Sequence, residues 1–411
     1  MTILTIVVPT RERADTLHHT LRTLVDQDYP QLEILVSDNA SVDDTAKVVA
    51  SFDDSRIRYV RTPGRVGMAE NWEFALDNAR GQFITYIGDD DAFLPDAITK
   101  AMALLCASGL PALVWRKTEY CWPDYPVQEM QNLIIIGKRN GEARVVDAAA
   151  QLQLVMSFRD SYSTLPCLYN GIIKTELLRK VRSTSATNIF FNAVSPDVYS
   201  GIVLSLTMTS YLWTDFPFSV NGASRHSNGT SFTRSNGEDL STPAGKFKSE
   251  NTRHYDDRLQ AGPSVAICVM GEYLLAQKAL PKMQLPDPDF RKYVQFLLES
   301  APRAYLPEAV ASSALYTARM LRIKTQKVSA VRVKDQSMLK SYSGDGAFVA
   351  PKSIVSNVYD AAALISAMVN PSIELKKATK TGLFKHFAVA IVKNMLLETR
   401  LLLRALAGRS S

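Results

Sequence analysis

Ala79-Arg-Gly-Gln-Phe-Ile-Thr-Tyr-Ile-Gly-Asp-Asp-Asp91 decides how the chain is read. Phe83 to Ile87 is a short apolar, β-rich run, and it ends on a glycine followed by three consecutive carboxylates. The same grammar recurs upstream. Ile3 to Val8, Glu33 to Val36 and Arg56 to Val60 read as strands, while Ala14 to Asp26, Asp43 to Phe52, Met68 to Ala79 and Pro95 to Ala107 carry helical periodicity. The order βαβαβαβα predicts an α/β fold with a mostly parallel, Rossmann-like sheet flanked by helices on both faces. In such sheets ligands bind beyond the carboxyl ends of the strands, so the residues just after each strand are the candidates for function.

Composition narrows the class. With 411 residues, 46% hydrophobic and 21% charged, the chain has enough apolar material for a large core, which excludes a disordered or fibrous protein. Four scattered cysteines, Cys106, Cys121, Cys167 and Cys268, have no paired short spacing, which argues against a zinc module or a secreted disulfide framework. The net charge of +6 is concentrated at one end: after Pro371, eight Lys or Arg stand against Glu374 and Glu398. A nucleic-acid binder usually spreads basic residues over its folded face, so nucleic acid is not the expected partner. No apolar run approaches the roughly 18 residues of a membrane span. Ile3 to Val8 lacks the basic start of a signal peptide, so a cytoplasmic location is expected.

Beyond Leu110 the expected elements are a strand at Ala112 to Arg116, a helix from Val146 to Phe158, a strand at Leu168 to Ile173, a helix from Thr175 and a strand near Phe216 to Val220. From Asn221 to Pro263 the chain is rich in Ser, Asn, Gly and Thr, which disfavours regular structure. These readings divide the chain into an α/β domain over 1–225, a flexible polar linker over 226–262 and a mainly helical C-terminal region over 263–411, interrupted near Ser341 to Lys352. In the tail, over 376–406, Lys385, Lys393, Arg400 and Arg404 fall within an arc of about 100° on a helix whose other faces are apolar. Such a helix suits the headgroup layer of an anionic membrane, which would make the protein peripheral on the inner face. Packing on its own domain or on a second subunit of a homo-oligomer explains the apolar face equally well.

Three adjacent acids repel one another, and Asp89, Asp90 and Asp91 make sense where a cation sits among them. Oxygen ligands of this kind suit Mg²⁺ or Mn²⁺, and Mg²⁺ is commonly held by one or two carboxylates with phosphate oxygens completing its shell. The plain structural alternative is an acidic turn before the next helix. Strand one ends in Pro9, Thr10, Arg11, Glu12 and Arg13, and strand two in Ser37, Asp38, Asn39, Ala40 and Ser41, with Asp43 or Ser41 a natural helix cap. Asp38 stands where an acid would meet a base or ribose. No G-x-G-x-x-G follows strand one, which disfavours a dinucleotide-dependent dehydrogenase.

Taken together, Ile6-Val-Val-Pro-Thr10, Val36-Ser-Asp-Asn-Ala-Ser41, Gly67-Met-Ala-Glu-Asn71 and the opening stretch resemble the nucleotide-binding half of family 2 glycosyltransferases of GT-A fold. The resemblance covers about the first 110 residues. It implies a nucleotide-sugar donor, a Mn²⁺ or Mg²⁺ ion on its diphosphate, and inverting transfer to a saccharide or lipid-linked glycan acceptor. Carried over, Pro9, Thr10, Arg13 and Asp38 would line the nucleoside pocket, and Asp89 and Asp91 would form a D-x-D motif, one near the ribose and one on the metal. Relatives often have an acid where Gly88 stands, which leaves open which two of Asp89, Asp90 and Asp91 act. An arginine common near the phosphates is replaced around Glu70, and Arg65 would supply that charge.

Inverting transfer needs a base for the acceptor hydroxyl, and a carboxylate suffices for a transition state of oxocarbenium character. Asp197, in Ser195-Pro-Asp-Val-Tyr199, stands where similar enzymes carry that acid, although Ser195, Pro196 and Asp197 also make a complete helix start without catalysis. In Ser224-Arg-His-Ser227, the resemblance implies a loop closing over the donor, with His226 a further metal ligand and Arg225 on phosphate. Trp115, Tyr120, Trp122, Tyr162 and Trp213 would supply either a sugar platform or core. The rival functions are a sugar nucleotidyltransferase, which would release pyrophosphate, and a non-catalytic nucleotide-sugar or glycan-binding subunit.

Overall fold

A computed structural model describes residues 4–137, 139–227, 243–251, 253–283, 285–325 and 346–369. The basic tail falls outside the described residues, as does the middle of the polar segment. Strands β1 (Leu4–Thr10), β2 (Leu32–Asp38), β3 (Ile57–Arg61) and β4 (Phe83–Tyr86) form a parallel array with β1 between β2 and β4. Helices α1 (Ala14–Val25), α2 (Thr45–Ala50), α3 (Met68–Asn78) and α4 (Ala97–Ser108) alternate with them, as the periodicity predicts.

The sheet continues past β4 with β6 (Ala112–Trp115), β9 (Ala143–Asp147), β10 (Gly171–Lys174) and β11 (Ser210–Thr214), in the order β3-β2-β1-β4-β10-β6-β11-β9. β10 runs antiparallel to both β4 and β6, so the large sheet is mixed beyond its parallel half. A second, smaller sheet joins β5 (Ala92–Phe93), β7 (Thr118–Cys121), β8 (Leu133–Ile135), β12 (Ser219–Ala223) and β13 (Ala347–Val349) in the order β13-β8-β7-β12-β5. The chain leaves β1 in opposite directions towards β2 and β4, and that reversal opens a crevice at their carboxyl ends.

Period-two alternation sorts the central strands between two cores. Ile6, Val8 and Ile34 face a layer built from Leu17, Leu21 and Leu24 of α1 and Ile98, Met102 and Leu105 of α4. Val7, Leu35 and Ile84 face the opposite layer, with Trp72 and Leu76 of α3. Helices α5 (Ala148–Met156), α6 (Thr175–Thr184) and α7 (Pro196–Ser205) cover this second face with Leu152, Leu178, Ile202 and Val203. Each such side chain contributes about 1.5–3 kcal/mol by leaving water, and Leu21→Ala would cost about 2–5 kcal/mol through the cavity it leaves.

Two sequence boundaries shift. The segment read as a helix from Val146 begins instead as edge strand β9, because Val145 and Val146 pair with Leu212 and Tyr211 of β11 before Asp147 caps α5 through the Ala150 amide. The start of the strand expected at Leu168 is a short 3-10 turn, and β10 begins at Gly171.

Within the polar segment lies helix α8 (Pro243–Glu250). Helix α9 (Val265–Ala279) is buried along most of its length between two cores, with Glu272 in its middle. Cys268, Val269 and Tyr273 join the sheet-side layer, while Ile267, Met270 and Leu274 pack with α10 (Phe290–Ser300) and α11 (Pro307–Met320). Helix α12 (Val358–Val369) returns to α1, where Tyr359 donates to Asp26 at 2.7 Å and Arg22 lies 4.0 Å over the Tyr359 ring. Among the described residues no helix is long and apolar enough to cross a membrane.

Candidate active site

Beyond the carboxyl ends of β1 and β4 opens a cleft of about 1500 Å³, whose walls include Thr10, Arg13, Asp89, Asp90, Lys117 and Asp197. The three adjacent aspartates are all buried, yet the backbone aims them at three different partners. Asp89 accepts from Arg13 Nη1 at 2.8 Å. Asp90 accepts through Oδ2 from the hydroxyls of Ser224 at 2.7 Å and Ser227 at 2.6 Å, while its Oδ1 receives no hydrogen bond among the described residues. Asp91 turns away from the cleft: Oδ2 accepts from the Gly88 amide at 2.9 Å and Oδ1 from the Gly222 amide at 2.6 Å.

Burial raises the Asp89 carboxyl against the lowering effect of Arg13. Burial and the neighbouring Asp90 push Asp91 up to about 7. For Arg13, burial opposes the charge, but Asp89 and Asp90 outweigh it and hold the guanidinium above its ordinary value. Arg13 also donates to the His226 carbonyl at 2.5 Å, tying the Ser224–Ser227 turn to the acid cluster.

Two glycines are dictated by this packing. At Gly88 a side chain would collide with the Tyr169 hydroxyl. At Gly222 a methyl group would fall on the Asp90 backbone, because β12 crosses against the acid loop there.

On the nucleoside side, Asp38 is buried and lies behind the wall rather than on it. Its carboxylate accepts from Tyr59 at 2.5 Å and from the Ser41 amide at 3.0 Å, with Arg61 at 3.4 Å. Asn39, the next residue, lines the cleft instead, and its side chain clasps Val66 at both its carbonyl and its amide. That clasp holds the loop carrying Arg65, whose guanidinium reaches Glu12 at 2.5 Å. Pro9 and Thr10 line the cleft. Arg11 pairs with Glu250 of α8, which brings the polar segment to the cleft.

Asp197 sits in the first turn of α7, where Pro196 sets the opening turn. Burial raises its carboxyl above the ordinary carboxylate range, and Lys117 and Tyr162 draw it partly back. Lys117 was not foreseen from sequence, although it follows strand β6 directly. Its ammonium donates to Asn221 at 3.1 Å and lies 5.0 Å over the Tyr169 ring, which stacks on Trp72. Arg225 is largely exposed and stands between Asp15 and Asp124, away from the cleft lining. His226 lines the cleft, its ring beside Arg225 at 2.8 Å, and burial with two neighbouring arginines lowers its pKa. Trp115, Tyr120, Trp122 and Trp213 are buried core, whereas Tyr162 faces the cleft beside Asp197.

Among the described residues, no three His, Cys, Asp or Glu side chains form a ready metal centre. The donor set nevertheless fits a single hard cation: Asp90 presents an unbonded carboxylate oxygen next to Asp89, and Mg²⁺ or Mn²⁺ can complete its shell with phosphate oxygens.

A parallel α/β half, a cleft at its switch point and acids at the end of the fourth strand give the chain a GT-A-like fold. Residues 5–152 match the sequence model of Glycosyl transferase family 2. It is 38% identical over 102 residues to the GalNAc(5)-diNAcBac-PP-undecaprenol beta-1,3-glucosyltransferase of Campylobacter jejuni, covering 24% of this chain and 33% of that protein. It is 28% identical over 99 residues to the UDP-Glc:alpha-D-GlcNAc-diphosphoundecaprenol beta-1,3-glucosyltransferase WfaP of Escherichia coli, covering 24% of this chain and 39% of the relative. The chain thus spans little more than a third of the length of these curated relatives. The solved structure of residues 1–349 of S. aureus TarS aligns with 81% of this chain and 95% of that one, at 13% identity and a TM-score of 0.43.

Proposed function

We propose that the protein is an inverting glycosyltransferase that moves a sugar from a nucleotide-sugar donor to a hydroxyl of a saccharide carried on a lipid diphosphate. What supports this reading is one cleft lined by Asp89, Asp90 and Asp197 together. The two curated relatives, named for glucosyl transfer to undecaprenyl-diphosphate-linked saccharides, support the acceptor class and make UDP-glucose the first donor to test.

Asp89 and Asp90 would hold a divalent cation that, when bound, supplies positive charge to the donor diphosphate. Arg13 opposes the effect of burial on the Asp89 charge and aims its carboxylate, and Ser224 and Ser227 hold Asp90 through Oδ2, leaving Oδ1 without a hydrogen bond among the described residues. Asp91 belongs to the turn itself, because backbone amides use both its oxygens. Asp197 accepts the acceptor hydroxyl proton as that oxygen bonds to the anomeric carbon, and the nucleoside diphosphate leaves from the opposite face with the bonding electrons. Lys117 lies on the cleft wall as a fixed positive charge for the departing diphosphate. Asn39 and the loop it clasps frame the nucleoside, with Asp38 bracing that corner from behind.

Calorimetry with UDP-glucose and Mn²⁺ tests this reading. Asp90→Asn should abolish Mn²⁺-dependent binding, and Asp197→Asn should keep binding while lowering transfer by about 10²–10⁴-fold. Donor uptake indifferent to EDTA would overturn the metal assignment, and release of pyrophosphate instead of UDP would favour a nucleotidyltransferase. The basic tail over 376–406 is proposed to hold the enzyme on anionic membrane, so deletion from Lys376 onward should reduce sedimentation with phosphatidylglycerol vesicles.

A further inference from the structure

Glu272, in the middle of α9, is fully buried, and its carboxylate serves no residue of the acid cluster. Oε1 accepts from the Val194 amide at 3.1 Å, the Ser195 amide at 2.6 Å and the Tyr255 hydroxyl at 3.1 Å, while Oε2 has no hydrogen-bond partner among the described residues. Two of these three donors belong to the backbone leading into Asp197. Ser195 occupies the N-cap position of α7, yet its side chain makes no capping bond. The entry to the helix is therefore set from outside, by an acid some eighty residues further along the chain.

The surroundings reinforce that grip. Asn251 donates to the Val194 carbonyl at 3.3 Å, so the same peptide unit is held on both sides. Tyr255 lies flat against Gly271, where any side chain would strike its ring, and this contact fixes the hydroxyl that meets Glu272. A buried carboxylate carries a large desolvation cost, and here it is offset mainly by bonds that define one turn. That cost is hard to account for by packing alone, since an apolar residue would fill the same space without it.

We propose that Glu272 is a positioning residue for the reaction: it fixes the Val194–Ser195 turn so that Asp197 points at the acceptor, and so makes the helical region part of the catalytic apparatus. This rests on the glycosyltransferase reading of Asp197. A displacement of about 1 Å in a reacting group can cost about 10²-fold in rate, whereas Asp89 and Asp90 make no hydrogen bond to this turn among the described residues.

The test follows UDP release from UDP-glucose in Mn²⁺, with water as acceptor, for the wild type, Glu272→Leu, Glu272→Gln, Tyr255→Phe, Asp197→Asn and the Glu272→Leu/Asp197→Asn pair. Glu272→Leu should lower kcat at least about tenfold with the donor KM within about twofold. Glu272→Gln keeps an acceptor oxygen for the two amides and should recover most of the loss. Tyr255→Phe, which removes one donor and leaves the amide bonds in place, should lower kcat about threefold and covers the case in which Glu272→Leu does not fold. The double variant should be no slower than Asp197→Asn alone, because Glu272 acts through Asp197. Wild-type kcat in folded Glu272→Leu, a matching rise in donor KM, or additive losses would overturn the proposal while leaving an inactive Asp197→Asn and the base assignment intact. Full activity in Asp197→Asn would remove the base assignment itself.

Discussion

Gly222→Ala offers the most direct test of how β12 builds the acid cluster. A Cβ at this position would stand 2.6 Å from the Asp90 carbonyl carbon and 2.8 Å from the Trp122 indole nitrogen, against a floor of 3.0 Å for real contacts, and closer still to the Asp90 carbonyl oxygen. Two of those atoms are backbone and cannot rotate away, so β12 and the acid loop must part. Bonds at risk are Gly222 N–H to Asp91 at 2.6 Å, Trp122 N–H to the Asp90 carbonyl at 2.9 Å and the Ser224 hydroxyl to Asp90 at 2.7 Å. Losing two of them at about 1 kcal/mol each, with overpacking of about 1–3 kcal/mol, predicts a loss of about 3–5 kcal/mol. Against a typical total of about 5–15 kcal/mol, that is a large fraction, and urea denaturation reads it as a lower midpoint at unchanged slope. Because Ser224 and Ser227 would no longer aim Asp90, Mn²⁺-dependent binding of UDP should weaken in the same variant. Gly64→Ala is the control, since nothing lies within 4 Å of its Cβ position and its backbone is not left-handed. An unchanged midpoint with unchanged UDP affinity in Gly222→Ala would refute this account of the cluster.

Other perturbations follow from the same geometry. Burial raises the Asp197 carboxyl, and the base works only when ionised, so the rate should rise with pH through a midpoint above the usual value of about 3.9. Lys117 opposes that rise, so Lys117→Met should move the acidic limb of the kcat profile to higher pH; a limb that stays in place or moves down contradicts the electrostatic contact. Gly88→Ala should cost about 1–3 kcal/mol through collision with the Tyr169 hydroxyl, and Tyr169→Phe should recover at least about 0.5 kcal/mol of it in a double-mutant cycle by denaturation. Asn39→Ala should free the Val66 backbone, cost about 1–3 kcal/mol, and weaken UDP binding more than it alters turnover at saturating donor.

The parallel half of the fold was legible because its signals are local. Ile6 to Val8 and Ile34 to Val36 are continuous apolar runs, as strands buried on both faces favour, and the helices between them carry clear period. What escaped was non-local. The end of β9 reads as helix because Val146 continues the pattern of α5, and only pairing with β11 makes it strand. The three aspartates look interchangeable in sequence, and their roles are set by Arg13, Gly222, Ser224 and Ser227, which no spacing rule connects to them. The D-x-D reading gave a metal role to Asp91, and the amides of Gly88 and Gly222 direct that residue into the turn instead. Lys117 lacked a local signature beyond its place after a strand.

The same distinction bears on where the working unit ends. Composition places a boundary in the polar stretch over 226–262, and the parallel half holds both acids at the end of β4. Yet Asp197 depends on a turn held by Glu272 and Asn251, Arg11 pairs with Glu250 of α8, and α9 contributes Val269 and Tyr273 to the sheet-side core. Removing everything after residue 225 would strip these partners at once and expose the apolar flank of α7, which packs against α9. A boundary drawn by composition therefore cuts through a site that the hydrogen bonds join. The acids after β4 come from local sequence, whereas the turn that leads into Asp197 is completed by residues far along the chain.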